Sequence, residues 1–201
     1  MPGHVKINVG SSGEISAANP LPVSGSFGAG DNNIGNVDIV SIAAGEMVIG
    51  LISTSDTVIS LTPVCDTSVY AIGDVLFDTT ALASVGRVSG GVVVLETVTV
   101  LDEDDQAAAQ IDLYFLDANN SLGTFNIAPA ITDANARSIV GQVSIESSLF
   151  KDLGASKFAC KPAIGLMMQL NASTSLWVAA VTQGTPTQTA SGLKLKFGFL
   201  R

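Results

Sequence analysis

Apolar and polar residues alternate with a period of two along most of this chain, the pattern of half-buried antiparallel strands. The alternation is cleanest near the C-terminus. Leu193, Leu195, Phe197 and Phe199 alternate with Lys194, Lys196 and Gly198. Leu176, Val178 and Ala180 alternate with Trp177, Ala179 and Val181. Phe158, Cys160, Ile164, Leu166, Met168 and Leu170 share one parity, and Lys157, Lys161 and Gln169 take the other. The centre of the chain reads as two long strands, Val92 to Leu101 and Ala109 to Asp117, joined by the acidic run Asp102-Glu103-Asp104-Asp105-Gln106. β-Branched residues fill the first strand, and both are apolar on much of both faces. That composition predicts a sheet covered on its two sides.

Shorter runs complete the pattern. Strand signals begin at Ile34 and recur at Val37 to Ile42, Met47 to Ser53 and Thr57 to Leu61. Val69 to Phe77 holds a Gly73-Asp74 turn or bulge between apolar residues. Residues 118–131 read as a loop with a short extended piece around Thr124-Phe125. Thr132 to Ile139 is the one good helix candidate, with a capping Thr or Asp ahead of it and Gly141 beyond. Gln142 to Ile145 resumes the strand pattern. Residues 1–33 are punctuated by Gly10-Ser11-Ser12-Gly13, Asn19-Pro20-Leu21-Pro22 and Gly25 to Asn33, too densely for a packed core. The prediction is an all-β fold. It is an antiparallel β-sandwich, jelly-roll-like, over residues 34–201, with one short helix and an extended N-terminal arm over residues 1–33.

Composition supports this. The chain has 201 residues, 47% of them hydrophobic and only 13% charged, a balance that suits one domain of small branched side chains. The positive mean hydropathy does not come from a membrane helix, because no apolar run approaches ~18 residues. The start Met1-Pro2-Gly3-His4-Val5-Lys6 has no apolar core, which predicts an intracellular product or part of a particle. The net charge is −9 and uneven. Residues 1–136 hold all but two of the acidic residues, and seven of the nine basic residues lie from Arg137 onward. An acidic bulk argues against direct nucleic-acid binding; the asymmetry would suit association of subunits, and the preferred reading is that both halves fold into one sandwich in which the charges intermix.

No residue constellation predicts chemistry, so catalytic, cofactor-binding and metal-ligating residues are all expected to be none. The single histidine, His4, lies in the arm, away from any rigid pocket a nucleophilic triad needs. The glycine cluster Gly25 to Gly30 lacks the Lys-Ser/Thr of a phosphate loop. Asp102 to Asp105 could gather oxygens around a cation. Its spacing matches no EF-hand, and the reading preferred here is a solvated loop that discourages edge pairing. Cys65 and Cys160 form no metal spacing and are expected as two buried thiols. Asn119-Asn120-Ser121 and Asn171-Ala172-Ser173 match the glycosylation pattern by chance.

Val69-Tyr70-Ala71-Ile72-Gly73-Asp74-Val75-Leu76 and Ile111-Asp112-Leu113-Tyr114-Phe115-Leu116-Asp117-Ala118-Asn119 carry a resemblance. Over residues 69–145 the chain resembles small structural proteins of tailed bacteriophages. These share a Gly-Asp turn before an apolar strand, an Asp-Leu-x-x-Phe-Asp-x-Asn segment, a Thr-Phe soon after, and a short helix before a Val/Ile-Gly strand. The later pieces here are Thr124-Phe125, Asp133 to Ile139 and Val140-Gly141. Leu21-Pro22-Val23-Ser24-Gly25 looks like a virion linker phrase. The resemblance implies a virion component assembled in the host cytoplasm, and a head decoration (cement) protein above all. Its implied partners are the major capsid protein and copies of itself, a homotrimer being favoured, with no nucleic acid and no membrane. It implies no enzyme. A tail, baseplate or fibre-adaptor part is the alternative, and a carbohydrate-binding module, short of aromatics here, a further one.

Overall fold

The computed structural model describes residues 56–201. The proposed arm (residues 1–33) and the strand signals at 34–42 and 47–53 lie outside the described residues. Among the described residues, ten strands form two antiparallel sheets. They are β1 (Thr57–Leu61), β2 (Val75–Leu82), β3 (Val92–Asp102), β4 (Ile111–Leu116), β5 (Ile139–Ile145), β6 (Lys151–Asp152), β7 (Lys157–Lys161), β8 (Leu166–Gln169), β9 (Leu176–Thr182) and β10 (Leu193–Leu200). Sheet one runs β1-β10-β3-β7-β6, with β8 also pairing β3, and sheet two runs β2-β9-β4-β5. The chain crosses repeatedly between the sheets, and its last strands return between its first. With β7 and β8 counted as one interrupted strand, and β6 as an appendage, this is the order of an eight-stranded jelly roll. The expected all-β antiparallel sandwich, jelly-roll-like with one short helix, is therefore the observed one over the described residues.

Alternation explains why the sheets pack. Val93, Leu95, Val98 and Val100 of β3 and Leu193, Leu195, Phe197 and Phe199 of β10 all point inward and are buried. They meet Leu113, Phe115, Val178 and Ala180 from sheet two in one core cluster. Phe115 and Phe197 touch edge to face across the gap, ring centroids 5.8 Å apart, the arrangement that ring quadrupoles favour.

The central pair differs from the sequence reading. β3 and β4 do not share a sheet; each belongs to one of the two facing layers, and the acidic run is the crossover between them. β3 is buried on its inner face only. β4 is covered on both, because the loop after it folds over sheet two, where Leu122 packs with Val75, Ala179 and Val181 and is joined by Ile131 and Tyr114. Apolar side chains on an outward face do not by themselves say whether anything covers them.

β7 is a second correction. Its inward residue is Ala159, while Phe158 and Cys160 face outward. The parity changes at Pro162 to Gly165, where Ala163 and Gly165 take positive φ. The same place carries a bulge in β3. Phe199 pairs with Leu95 while Gly198 pairs with Thr97, leaving Glu96 unmatched, and Glu96 accepts a backbone bond from Ile164 instead. Hence β7 pairs with Val98–Asp102 and β8 with Val92–Leu95 as two separate pieces. Val69 to Ile72 is not strand either. It makes one bridge, Val69 to Thr187, before the turn into β2. The helix is a single turn, α1 (Asp133–Ala136), capped by Thr132 as expected, and β5 starts at Ile139, before Gly141.

Candidate functional site: the acidic crossover and the loop end

Four connections meet at one end of the sandwich: residues 62–74 between β1 and β2, the acidic crossover 103–110, the stretch 146–156 between β5 and β7, which holds β6, and residues 183–192 between β9 and β10. The acidic run is not a free solvated loop. Asp102 is the last residue of β3, and inward parity buries its carboxylate. It accepts from the backbone N–H of Asp104 (3.0 Å) and of Gln106 (3.2 Å), which folds the run back on itself. Asp104 then reaches across to Thr189, accepting from its backbone N–H (2.8 Å) and its hydroxyl (2.9 Å). Gln106 accepts from Thr187 N–H through Oε1. Glu103 N–H donates to Gly192. Asp105 pairs with Lys157 of β7, and Glu103 lies 3.6 Å from Lys194 of β10. Each carboxylate of the run is thus engaged by a donor or cation of its own. Adjacent acids point to different neighbours, the geometric reason they do not converge on one ion. Among the described residues no group of three metal-ligating side chains comes together.

The gripped loop passes the restraint on. Ala190 accepts from Cys65 N–H, and Pro186 accepts from Tyr70 N–H. Tyr70 is buried, and its hydroxyl donates to Leu76 (2.9 Å) while accepting from Asp66 N–H (2.6 Å). Asp66 also accepts from Asn126, which brings the 118–131 loop to the same end. Burial pushes the Cys65 thiol up to about 12, with the Asp104 and Asp102 charges adding to it. Burial raises the Asp102 pKa above the usual carboxylate range, only partly offset by its hydrogen bonds. Gln188, also buried, hydrogen-bonds Asp102, while its Oε1 has no partner among the described residues. Both line a cavity of about 20 Å³ with Leu76, Ile111, Phe150 and Leu193, a space the size of one water.

Among the exposed residues of this end, four are large and apolar. Val64, Val69, Ile72 and Ile127 are each more than half exposed, Ile72 at 69%. Backbone bonds hold them in place: Val75 donates to Ile127 and Gly73 to Thr182. Sequence reasoning found the acids but not this patch, whose members are scattered over sixty positions. Of the two cysteines, Cys65 is buried as expected and Cys160 is exposed on β7, a correction that follows from the parity change. His4 and Gly25 to Gly30 lie outside the described residues. Asn120 donates to Ser138 in a side-chain contact that orders the loop after β4. Compared with known proteins, the chain matches no family model and no curated sequence.

Proposed function

We propose that this protein is a structural component of a tailed-phage virion, a decoration protein that docks on the capsid lattice through its loop end. One observation carries the reading: four large apolar side chains, Val64, Val69, Ile72 and Ile127, project from loops pinned by the Tyr70 bonds and the acidic crossover. Exposed apolar clusters on a rigid frame mark protein-contact surfaces. A pre-ordered patch also loses less entropy on docking than a mobile loop does. The resemblance over residues 69–145 supplies the virion context. Several copies held at one lattice position reinforce individually weak contacts by avidity, which resists the outward push of packaged DNA.

The test is sedimentation of the full chain with DNA-filled heads of a tailed phage that carries its gene. Wild type co-sediments with heads, and Ile72→Asp with Val69→Asp abolishes this while the far-ultraviolet circular dichroism is kept. Binding to isolated tails and not to heads would move the assignment to a tail or baseplate part. Binding to heads that is unchanged in the double variant would show that the loop end is not the docking surface.

A further inference from the structure

The outer face of sheet one is left open among the described residues, and its exposed apolar side chains outnumber its charges only on the β3–β8 side. Leu200, Val94 and Met167 sit side by side across β10, β3 and β8. Met167 is 69% exposed, and Val58 and Val92 are more than half exposed. The charges that stand on this face are Lys151 on the short β6 edge, opposite Phe158, with Lys194, Lys196 and Glu96. Lys194 is held by Glu103 and by the carbonyl of Ser191. Lys196 alternates outward with Phe197 and Leu195 inward. Leu95 and Val98 both point inward with two residues between them, so the β3 bulge sends both Glu96 and Thr97 outward. Lys196 and Glu96 enter no ion pair among the described residues.

We propose that this face is the contact surface for a second copy of the chain, sheet one against sheet one across a two-fold axis. Two observations name that occupant. The first is size. Strands ~4.8 Å apart and ~3.3 Å per residue give the outer face of β1, β10, β3, β7 and β8 a flat footprint on the order of 500–700 Å². Side-chain relief enlarges it toward the ~800 Å² that each partner contributes to a standard interface. The second is charge. Lys196 is opposite Thr99 in the ladder, and Glu96 lies three residues further along β3, ~10 Å away. An axis passing midway between them sets Lys196 of each copy on Glu96 of the other, as an isologous contact requires. Sheet faces stack ~10 Å apart, so the apolar row of Leu200, Val94 and Met167 is buried in the same step. The inference stands on the sheet geometry and does not depend on the virion reading.

Light scattering after size exclusion, on the full chain, tests it. Wild type elutes with twice the 20.5 kDa chain mass, and the thiol of Cys160, on the same face, is protected from maleimide. Met167→Glu gives the single-chain mass and fast Cys160 labelling with unchanged circular dichroism. Lys196→Glu and Glu96→Lys each raise the dissociation constant at least tenfold, and the two together restore pairing. A single-chain mass for wild type at high concentration overturns the proposal. So does a three-fold mass that Met167→Glu leaves intact, or a double charge swap that fails to recover what either single swap loses.

Discussion

Removing the Asp104 carboxylate separates a clamp from a solvated loop. Asp104 is half-exposed and accepts two bonds from Thr189, at 2.8 and 2.9 Å. A hydrogen bond to a charged group contributes roughly 1.5–3 kcal/mol when well buried. Water at this surface competes for both partners and reduces that by more than half. Thr189 can also recover solvent bonds once the carboxylate is gone. Asp104→Ala is therefore expected to cost about 1–2 kcal/mol in total. Glu103→Ala is the matched control, because it removes one acid of the same run whose only cation lies 3.6 Å away. Exposed pairs of that kind are worth about 0–1 kcal/mol. Urea unfolding gives both values, and amide exchange at Thr189 and Thr187 locates the change. Equal, near-zero costs for the two variants, with Thr189 exchange unaltered, would falsify the clamp and restore the reading of a merely solubilising loop.

The same clamp predicts a coupled pair. A methyl group added at Gly192 would lie 1.8 Å from Asp104 Oδ2, so Gly192→Ala should destabilise by about 1–3 kcal/mol. In the Asp104→Ala background most of that cost should vanish; strictly additive costs in a double-mutant cycle would show that the two residues do not meet. For the thiols, the single-chain Met167→Glu variant should take up one maleimide quickly at Cys160 and the second only on unfolding, since Cys65 is buried with its pKa near 12; peptide mapping that finds Cys65 labelled first would refute this. Tyr70→Phe loses the bonds to Leu76 and Asp66 and should cost about 1–2 kcal/mol, with faster exchange across residues 62–74 as the accompanying sign.

Strand identity was legible wherever one face was polar and the other apolar. β10 and β9 fall on the residues that alternation marks, and Thr132 caps a helix as its side chain predicts. Pairing was not legible, because partners in this topology are distant in sequence: β10 lies between β1 and β3. The parity of β7 was misread for a local reason. The interruption at Pro162 to Gly165 is invisible to a period-two count, so Cys160 and Met168 looked like members of one face when they lie on opposite ones. At the candidate site the acids were visible as a charge run. What they do was not, since Thr187, Thr189 and Gly192 are some eighty positions away in sequence and show no pattern of their own.

Asp102 shows how burial turns such a run into something with its own pH response. Its folded pKa is raised above that of the unfolded chain by loss of water around the carboxylate. The folded state therefore holds a proton more tightly than the unfolded state does. Stability contributed by this group is present in full below its unfolded value and is lost as pH rises through the folded one. At neutral pH the buried charge is a liability that its hydrogen bonds from Asp104 and Gln106 only partly offset. Asp102→Asn removes the titration but not the shape. Relative to that variant, wild type should gain stability on acidification from neutral pH through the folded pKa, measured by urea unfolding of both proteins at matched ionic strength. The negative charge of Asp104 adds to the shift in the same direction. A wild-type advantage that shrinks on acidification over that range would mean the carboxylate is stabilised as an anion. The crossover would then be held by charge rather than by the chain geometry that buries it.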